Sequence, residues 1–485
     1  MSHQNIALTK DARSTSLEQA LEALETEFKV RADFPAEVLA EAERAIKDFE
    51  LPAIDRRDIE LVTIDPASST DLDQALHIER SGQGYVVHYA IADVPGFVAL
   101  GGALDSETRL RGQTVYLPHR RISLHPEVIS EDAGSLLPGQ DRSAYLWTFT
   151  LDVSGAVMQT ALERAVVKSR EKLSYVGVQE SLDSDTASEL LQLLREVGIK
   201  RVDLERQRGG ASLRIPAQEV ECVDGTYAIV SAPPLAVEDW NAQISLMTGI
   251  EAARIMLEAR VGLLRTMPAP AEKDITIFRL EAKALGTVWD PAQPYGEFLR
   301  SLDLNDPRQL ALMHRATGLF RGATYTAIDG EVPEDVIQAA IAAPYAHTTA
   351  PLRRLVDRFS LLICSYASSG QEVPVGLRAV LPTLPKLMGD SNRLVNTIER
   401  AAVDTVEAAS LAHRVGERFS AVTLTGIDDA RSKNGSPATG GTLLVKDPAV
   451  MAPFEGNAAA GVEVEVELVH ADLATRKVLF KIIEV

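Results

Sequence analysis

Three aspartates, Asp65, Asp71 and Asp73, fall within nine residues of one stretch, TIDPASSTDLDQAL at residues 63–76. The residues leading in, Leu61, Val62 and Ile64, are those of a buried strand. Pro66 and the Ser/Thr cluster after it end that strand and begin a loop. Carboxylates this close repel one another unless positive charge sits between them, and oxygen-only donors at this density suit Mg²⁺ or Mn²⁺. A solvated acidic turn is the other reading. The loop alone leaves both open.

The rest of the chain bounds the answer. A hydrophobic fraction of 46% with 5% aromatics is ordinary for a globular protein, and 485 residues exceed what one core serves, so more than one domain is expected. No apolar run approaches the roughly 18 residues of a membrane span, and the opening MSHQNIALTKDARSTS has no signal-peptide core. A monomeric, cytoplasmic protein without a membrane partner is expected. Cys222 and Cys364 have neither CxxC nor Cys/His spacing, which argues against a zinc site or disulfide framework, and both are expected as buried small hydrophobes. A net charge of −20 excludes a wholly basic nucleic-acid surface, since phosphate binding relies on Lys and Arg displacing counterions. Any such ligand must run in a locally basic channel, for which HRRIS at residues 119–123 and the pair Arg353 and Arg354 are candidates.

Periodicity supplies the elements that must position these groups. SLEQALEALETEF and PAEVLAEAERAIKDF, separated by RADFP, read as two amphipathic helices forming one small N-terminal module. YVVHYAIAD alternates as a half-buried strand. Residues 272–345 read as mostly helical packing around the site, and SNRLVNTIERAAVDTVEAASLAHRVGERF as a long helix. From Phe419 the pattern changes to strands, with strict alternation at residues 462–468, and DLATRK reads as a turn between two long ones. The loop at residues 428–441 is expected to be mobile.

Several of these stretches, in this order, resemble the ribonuclease II and ribonuclease R (RNB) family. The family carries T-I-D with D-x-D-D beginning six residues on, and Asp65, Asp71 and Asp73 fall on three of its four aspartates. Gln74 takes the fourth place, where an amide oxygen remains available but one charge is lost. TVYLP, SLLPGQDR, SREKLSY, HTTAPLRRLVD and SNRLVNTIERAAV resemble later family segments. The resemblance implies an α+β fold: an N-terminal helical module at residues 1–55 in place of cold-shock domains, an RNB catalytic domain at 56–417 with a mixed sheet wrapped by helices, and an S1-type OB barrel at 418–485.

The resemblance also implies an activity, 3′-to-5′ hydrolysis of single-stranded RNA to nucleoside 5′-monophosphates with Mg²⁺, or Mn²⁺ in its place. Asp65, Asp71, Asp73 and Gln74 would be the metal set, with Asp73, Arg353 and Glu399 catalytic. Tyr116 and Tyr175 would hold RNA bases, and Arg354 would be a neighbouring phosphate contact or a structural one. Read without the resemblance, Tyr116 is a core aromatic and the two arginines are solvated or ion-paired. Gln243, in the approximate register of a family glutamate that contacts ribose, and Met267, where a family loop carries His, are departures. They keep two alternatives in view: a noncatalytic RNA-binding protein with the RNB fold, and a DNA exonuclease.

Overall fold

The computed structural model describes residues 15–211, 217–223, 226–232, 235–426, 440–445, 447 and 450–484. Most of the loop expected to be mobile lies outside them, as does the Cys222 side chain. Cys364 is buried. No described helix is long and apolar enough to cross a membrane.

Two closed five-stranded barrels organise the chain, an α+β arrangement. The first takes β1 (Leu61–Asp65), β2 (Gln74–Ser81) and β3 (Gly84–Ala92). After the short pair β4 (Val115–Tyr116) and β5 (Arg121–Ile122), β6 (Asp141–Leu151) and β7 (Val157–Ser174) complete it, in the order β1-β2-β3-β6-β7. Closure is by β1 running parallel to the far end of β7, where Asp65 is opposite Ser174. Leu61, Val62, Thr63 and Ile64 are all buried, so β1 is a staple of the barrel rather than its edge.

Helices wrap this barrel. Helix α1 (Thr15–Glu27) buries its apolar face elsewhere, whereas α2 (Ala36–Lys47) and α3 (Ala103–Arg111) lie on one side of it; α4 (Tyr175–Asp183) and α5 (Glu189–Arg208) follow β7. The hairpin of β8 (Ala217–Val223) and β9 (Thr226–Ala232) precedes α6 (Ala236–Ala259). Gly198 of α5 lets that helix approach α6 closely, because a Cβ there would lie 2.3 Å from the Cβ of Trp240. Next come β10 (Val261–Thr266), α7 (Glu272–Ala284), α8 (Tyr295–Arg300) and α9 (Pro307–Ala316). Strand β11 (Thr324–Asp329) pairs with β10, and β12 (Ile337–Gln338) with β13 (Ala343–Pro344). The expected helical stretch at 272–345 is therefore helical only in its first part, and α7 to α9 bury a core of their own around Phe278, Trp289 and Phe298.

Helices α10 (Leu355–Ser368), α11 (Val375–Arg378) and α12 (Leu384–Leu411) lead to the second barrel. It comprises β14 (Arg418–Thr423), β15 (Thr442–Val445), β16 (Val450–Glu455), β17 (Glu463–Asp472) and β18 (Lys477–Glu484), ordered β14-β15-β16-β18-β17. In β17, Val464, Val466 and Leu468 are buried while Glu463 and Glu465 face out, as strand alternation requires.

The two N-terminal helices form where the periodicity places them, but not as one module. Leu17, Leu21 and Leu24 of α1 pack with Val395 and Ile398 of α12 and with the second barrel. Val38 and Ala42 of α2 pack on the first barrel beside Leu61 and Leu72. An apolar stripe shows that a face will be buried, not which core will receive it.

Candidate active site

The aspartate loop is fixed from several directions. The Leu72 N–H donates to Ser135 Oγ at 3.0 Å, Ser135 Oγ donates to the Thr70 carbonyl at 2.8 Å, and the Leu136 N–H donates to the Leu72 carbonyl at 3.0 Å. Lys172 of β7 reaches back to the carbonyls of Ala67 (2.7 Å) and Ser69 (2.6 Å). Asp73 precedes β2, and its carbonyl accepts from the Ala92 N–H at 2.9 Å. SLLPGQDR, a turn in the sequence, is thus the clasp that shapes the loop.

Onto it folds the segment before α10. The Leu352 N–H donates to Asp73 Oδ1 at 2.7 Å, and Arg353 Nε lies 3.4 Å from Asp73 Oδ2. Asp73 is buried whereas the Arg353 side chain is 46% exposed, so the guanidinium faces outward over the carboxylate. Arg354 points elsewhere, into a bidentate pair with Asp357, which also accepts from the Ala350 N–H at 2.8 Å. That charge braces the start of α10, the structural contact expected of Arg354 as the alternative to a phosphate contact.

Cross-strand register decides the surroundings of Asp71. Tyr116 of β4 is opposite Arg121 of β5. The Tyr116 hydroxyl donates to Asp71 Oδ2 at 3.2 Å while Arg121 Nη1 donates to Oδ1. Arg121 Nη2 also pairs with Glu131 and donates to Thr70 Oγ1 at 2.7 Å. On the other side, Ser174 caps α4, its Oγ accepting from the Gly177 N–H at 3.1 Å, and Tyr175 follows it. The Tyr175 hydroxyl accepts from Asn241 Nδ2 at 3.1 Å. Asp65 and Tyr175 meet because Asp65 is paired with Ser174.

The charges act on one another. Burial pushes the Asp65 carboxyl up to about 6, with Arg353 opposing and Asp71 reinforcing the rise. Burial also raises Asp73 well above the usual carboxylate range, again against Arg353 and with Asp71. Burial, then the neighbouring Asp65 charge, raises Tyr175 to about 12. The structure therefore brings together Asp65, Asp71, Asp73, Arg353, Tyr116 and Tyr175. The side chains of Asp71 and Asp73 are met by Tyr116, Arg121, the Leu352 N–H and Arg353. Glu399 follows Ile398, which α12 buries in the second core, and burial raises its own pKa to about 7.

The donor set suits a hard cation. Asp65 makes no side-chain hydrogen bond or ion pair among the described residues, although burial disfavours its charge. Three carboxylates with the Gln74 amide are oxygen donors only, the chemistry of Mg²⁺ or Mn²⁺. The Gln74 Nε2 donates to the Thr349 carbonyl, which leaves its oxygen as the remaining donor atom. As arranged, no three acidic, histidine or cysteine side chains converge as a cage among the described residues. Arg121 and Arg353 instead stand against Asp71 and Asp73. Gln243 donates to Glu205 Oε2 at 2.6 Å, and Met267 is buried.

Arg121 belongs to HRRIS, the run expected to line a basic channel, while nothing in the sequence marks Lys172 or Asn241. Only Arg121 had a signal, its place in HRRIS.

A barrel holding an acidic loop against an arginine, followed by helices and a second barrel, defines the ribonuclease II-type fold class. The RNB domain matches residues 54–362 and the RNase II-type exonuclease C-terminal S1 domain residues 417–483. The chain belongs to the RNB family. The probable exosome complex exonuclease RRP44 of Caenorhabditis elegans is 27% identical over 346 residues, covering 67% of this chain and 36% of that protein. Ribonuclease R of Chlamydia muridarum is 26% identical over 350 residues, covering 69% and 50%. The chain thus spans half or less of the length of these curated relatives. Mycoplasma genitalium RNase R in complex with ribose-methylated single-stranded RNA has the same fold, with a TM-score of 0.85, 16% identity, and 97% and 78% of the two chains covered. Yeast Ssd1, a pseudonuclease, also shares it, at a TM-score of 0.68, 15% identity, and 93% and 58% coverage.

Proposed function

We propose that this protein is a 3′-to-5′ exoribonuclease that hydrolyses single-stranded RNA and releases nucleoside 5′-monophosphates. The observation that carries this reading is the half-exposed Arg353 guanidinium set 3.4 Å from the buried Asp73 carboxylate, inside a cluster with Asp65 and Asp71. Membership of the RNB family and relatives named as exonucleases support it.

Arg353 has the exposure to meet a phosphate oxygen, and a fixed guanidinium there stabilises the charge that develops in the transition state. Asp65, Asp71, Asp73 and the Gln74 oxygen would hold Mg²⁺ or Mn²⁺. Such an ion supplies an activated water and neutralises charge on the leaving oxygen. Tyr116 and Tyr175 flank the carboxylates, and ring faces that stack bases at about 1–3 kcal/mol each are indifferent to sequence. Held that way, the strand presents only its last linkage to Asp73 and Arg353.

A noncatalytic RNA-binding protein is the competing reading, favoured by Gln74 in place of a fourth aspartate and by the commitment of Asp71 to Arg121. Incubation with 3′-single-stranded RNA or matching DNA, with Mg²⁺ or EDTA, separates them. Release of mononucleotides from RNA with Mg²⁺ only is expected. The Asp73→Asn variant keeps an oxygen for the Leu352 N–H, so RNA binding stays while release falls at least about 100-fold. Binding without release by the wild type selects the competing reading, and equal attack on DNA removes RNA as the specific substrate.

A further inference from the structure

His125 lies outside the cluster and enters no step above. Its side chain is fully buried, and its Nδ1 is 3.0 Å from the Leu352 carbonyl oxygen. A carbonyl oxygen only accepts, so Nδ1 carries the proton and the ring is the Nδ1–H tautomer. Nε2 is then left with a lone pair, and it has no hydrogen-bond partner among the described residues. The Leu352 N–H, which lies in the preceding peptide unit, donates to Asp73 Oδ1 at 2.7 Å, and the unit whose carbonyl His125 holds runs on to Arg353.

We infer that His125 is a positioning residue: by holding the Leu352 carbonyl it sets the Leu352–Arg353 peptide unit, and so presents Arg353 over Asp73. This rests on the reading of Asp73 and Arg353 as the reaction centre. Two backbone bonds fix the spacing of residues 112–114 and 353–355: Thr114 N–H to the Arg353 carbonyl at 2.9 Å and Leu355 N–H to the Gly112 carbonyl at 3.0 Å. Gly112 permits the turn that brings its carbonyl there, with φ at +74° and Ser391 packed where a Cβ would sit. Those bonds tolerate any side chain. The bond from His125 depends on an N–H at one ring position, and it controls the tilt of the Leu352–Arg353 peptide plane.

Burial, followed by the Arg358 and Arg111 charges, lowers the ring pKa to about 3 against the opposing Leu352 carbonyl. The donor is therefore present across the working pH range and does not switch with it. A neutral ring also adds no charge beside the buried guanidinium of Arg358, which pairs with Asp105.

The test compares His125→Leu, which fills the space without a donor, with His125→Asn, whose amide keeps a donor near the Nδ1 position. In the Mg²⁺ assay with single-stranded RNA, His125→Leu lowers kcat at least about tenfold with KM within about twofold, because the misaligned groups act in the transition state more than in binding. His125→Asn recovers kcat to within about threefold of wild type. Equal loss in both variants, or loss in neither, overturns the inference.

A second measurement does not depend on cleavage. In ¹⁵N-histidine-labelled full chain, the signal missing from the His125→Asn spectrum should be that of a neutral Nδ1–H ring from pH 5 to 8. An Nε2–H ring, or titration in that range, overturns the assignment. Absence of nuclease activity in the wild type defeats the proposed function instead, and leaves this spectrum to judge the contact.

Discussion

Arg121 Nη1 donates to Oδ1 of Asp71, so one of the three loop carboxylates is neutralised by the strand pair that also supplies Tyr116. Removing one partner of such a pair strands the other. In Arg121→Gln the expected loss of stability is about 1–3 kcal/mol, less than the about 3–5 kcal/mol of a fully buried pair. If a divalent cation reaches Asp71, it restores part of that loss. Thermal melts of both proteins in EDTA and in Mg²⁺ should therefore show the gap in Tm narrowing when Mg²⁺ is added; a gap that stays constant shows that no cation replaces the guanidinium.

Leu21 is fully buried between α12 and the second barrel. Leu21→Ala should cost about 2–5 kcal/mol by leaving a cavity there. Hydrogen exchange should locate the damage: amides of α12 and of β14 to β18 lose protection, while those of β1 to β3 keep theirs. Loss of protection in the first barrel instead would return α1 to the N-terminal module that the sequence implies.

Burial holds the Glu399 carboxyl at about 7, against 4.5 for an ordinary glutamate. Between those values the folded state retains a proton that the unfolded state has lost. The contribution to stability is thus complete below about 4.5 and disappears as pH rises through about 7. Glu399→Gln carries no such proton, so its Tm should gain on that of the wild type as pH rises across the window. Parallel melting curves from pH 4.5 to 8 would mean that Glu399 is not held in its protonated form.

Some of this was legible in the residues and some was not. The strand before Asp65 is visible in Leu61, Val62 and Ile64, and the alternation of Val464, Val466 and Leu468 announces the second barrel. The family resemblance orders Tyr116, Tyr175 and Arg353 along the chain; the barrel register then puts Tyr175 beside Asp65, the β4–β5 pair puts Tyr116 on Asp71, and the segment before α10 puts Arg353 on Asp73. Strands β12 and β13, two residues each, are too short for any periodic signal, which is why residues 272–345 read as more helical than they are. HRRIS marks Arg121 as basic without showing what it meets, and His125 carries no signal at all, for a simpler reason. Their partners, Asp71 and the Leu352 carbonyl, are distant in sequence, and one basic residue does not reveal which acceptor it will meet.

The parallel closure of β1 on β7, with Arg353 arriving later still, also sets an order in time. Asp65 leaves the ribosome roughly 290 residues ahead of Arg353, which at about 5–20 residues per second is an interval between ~15 and ~60 s. A nascent chain thus carries its acidic loop long before the guanidinium that completes the centre. In the proposed activity, the unfinished polypeptide is harmless to the transcript from which it is being read.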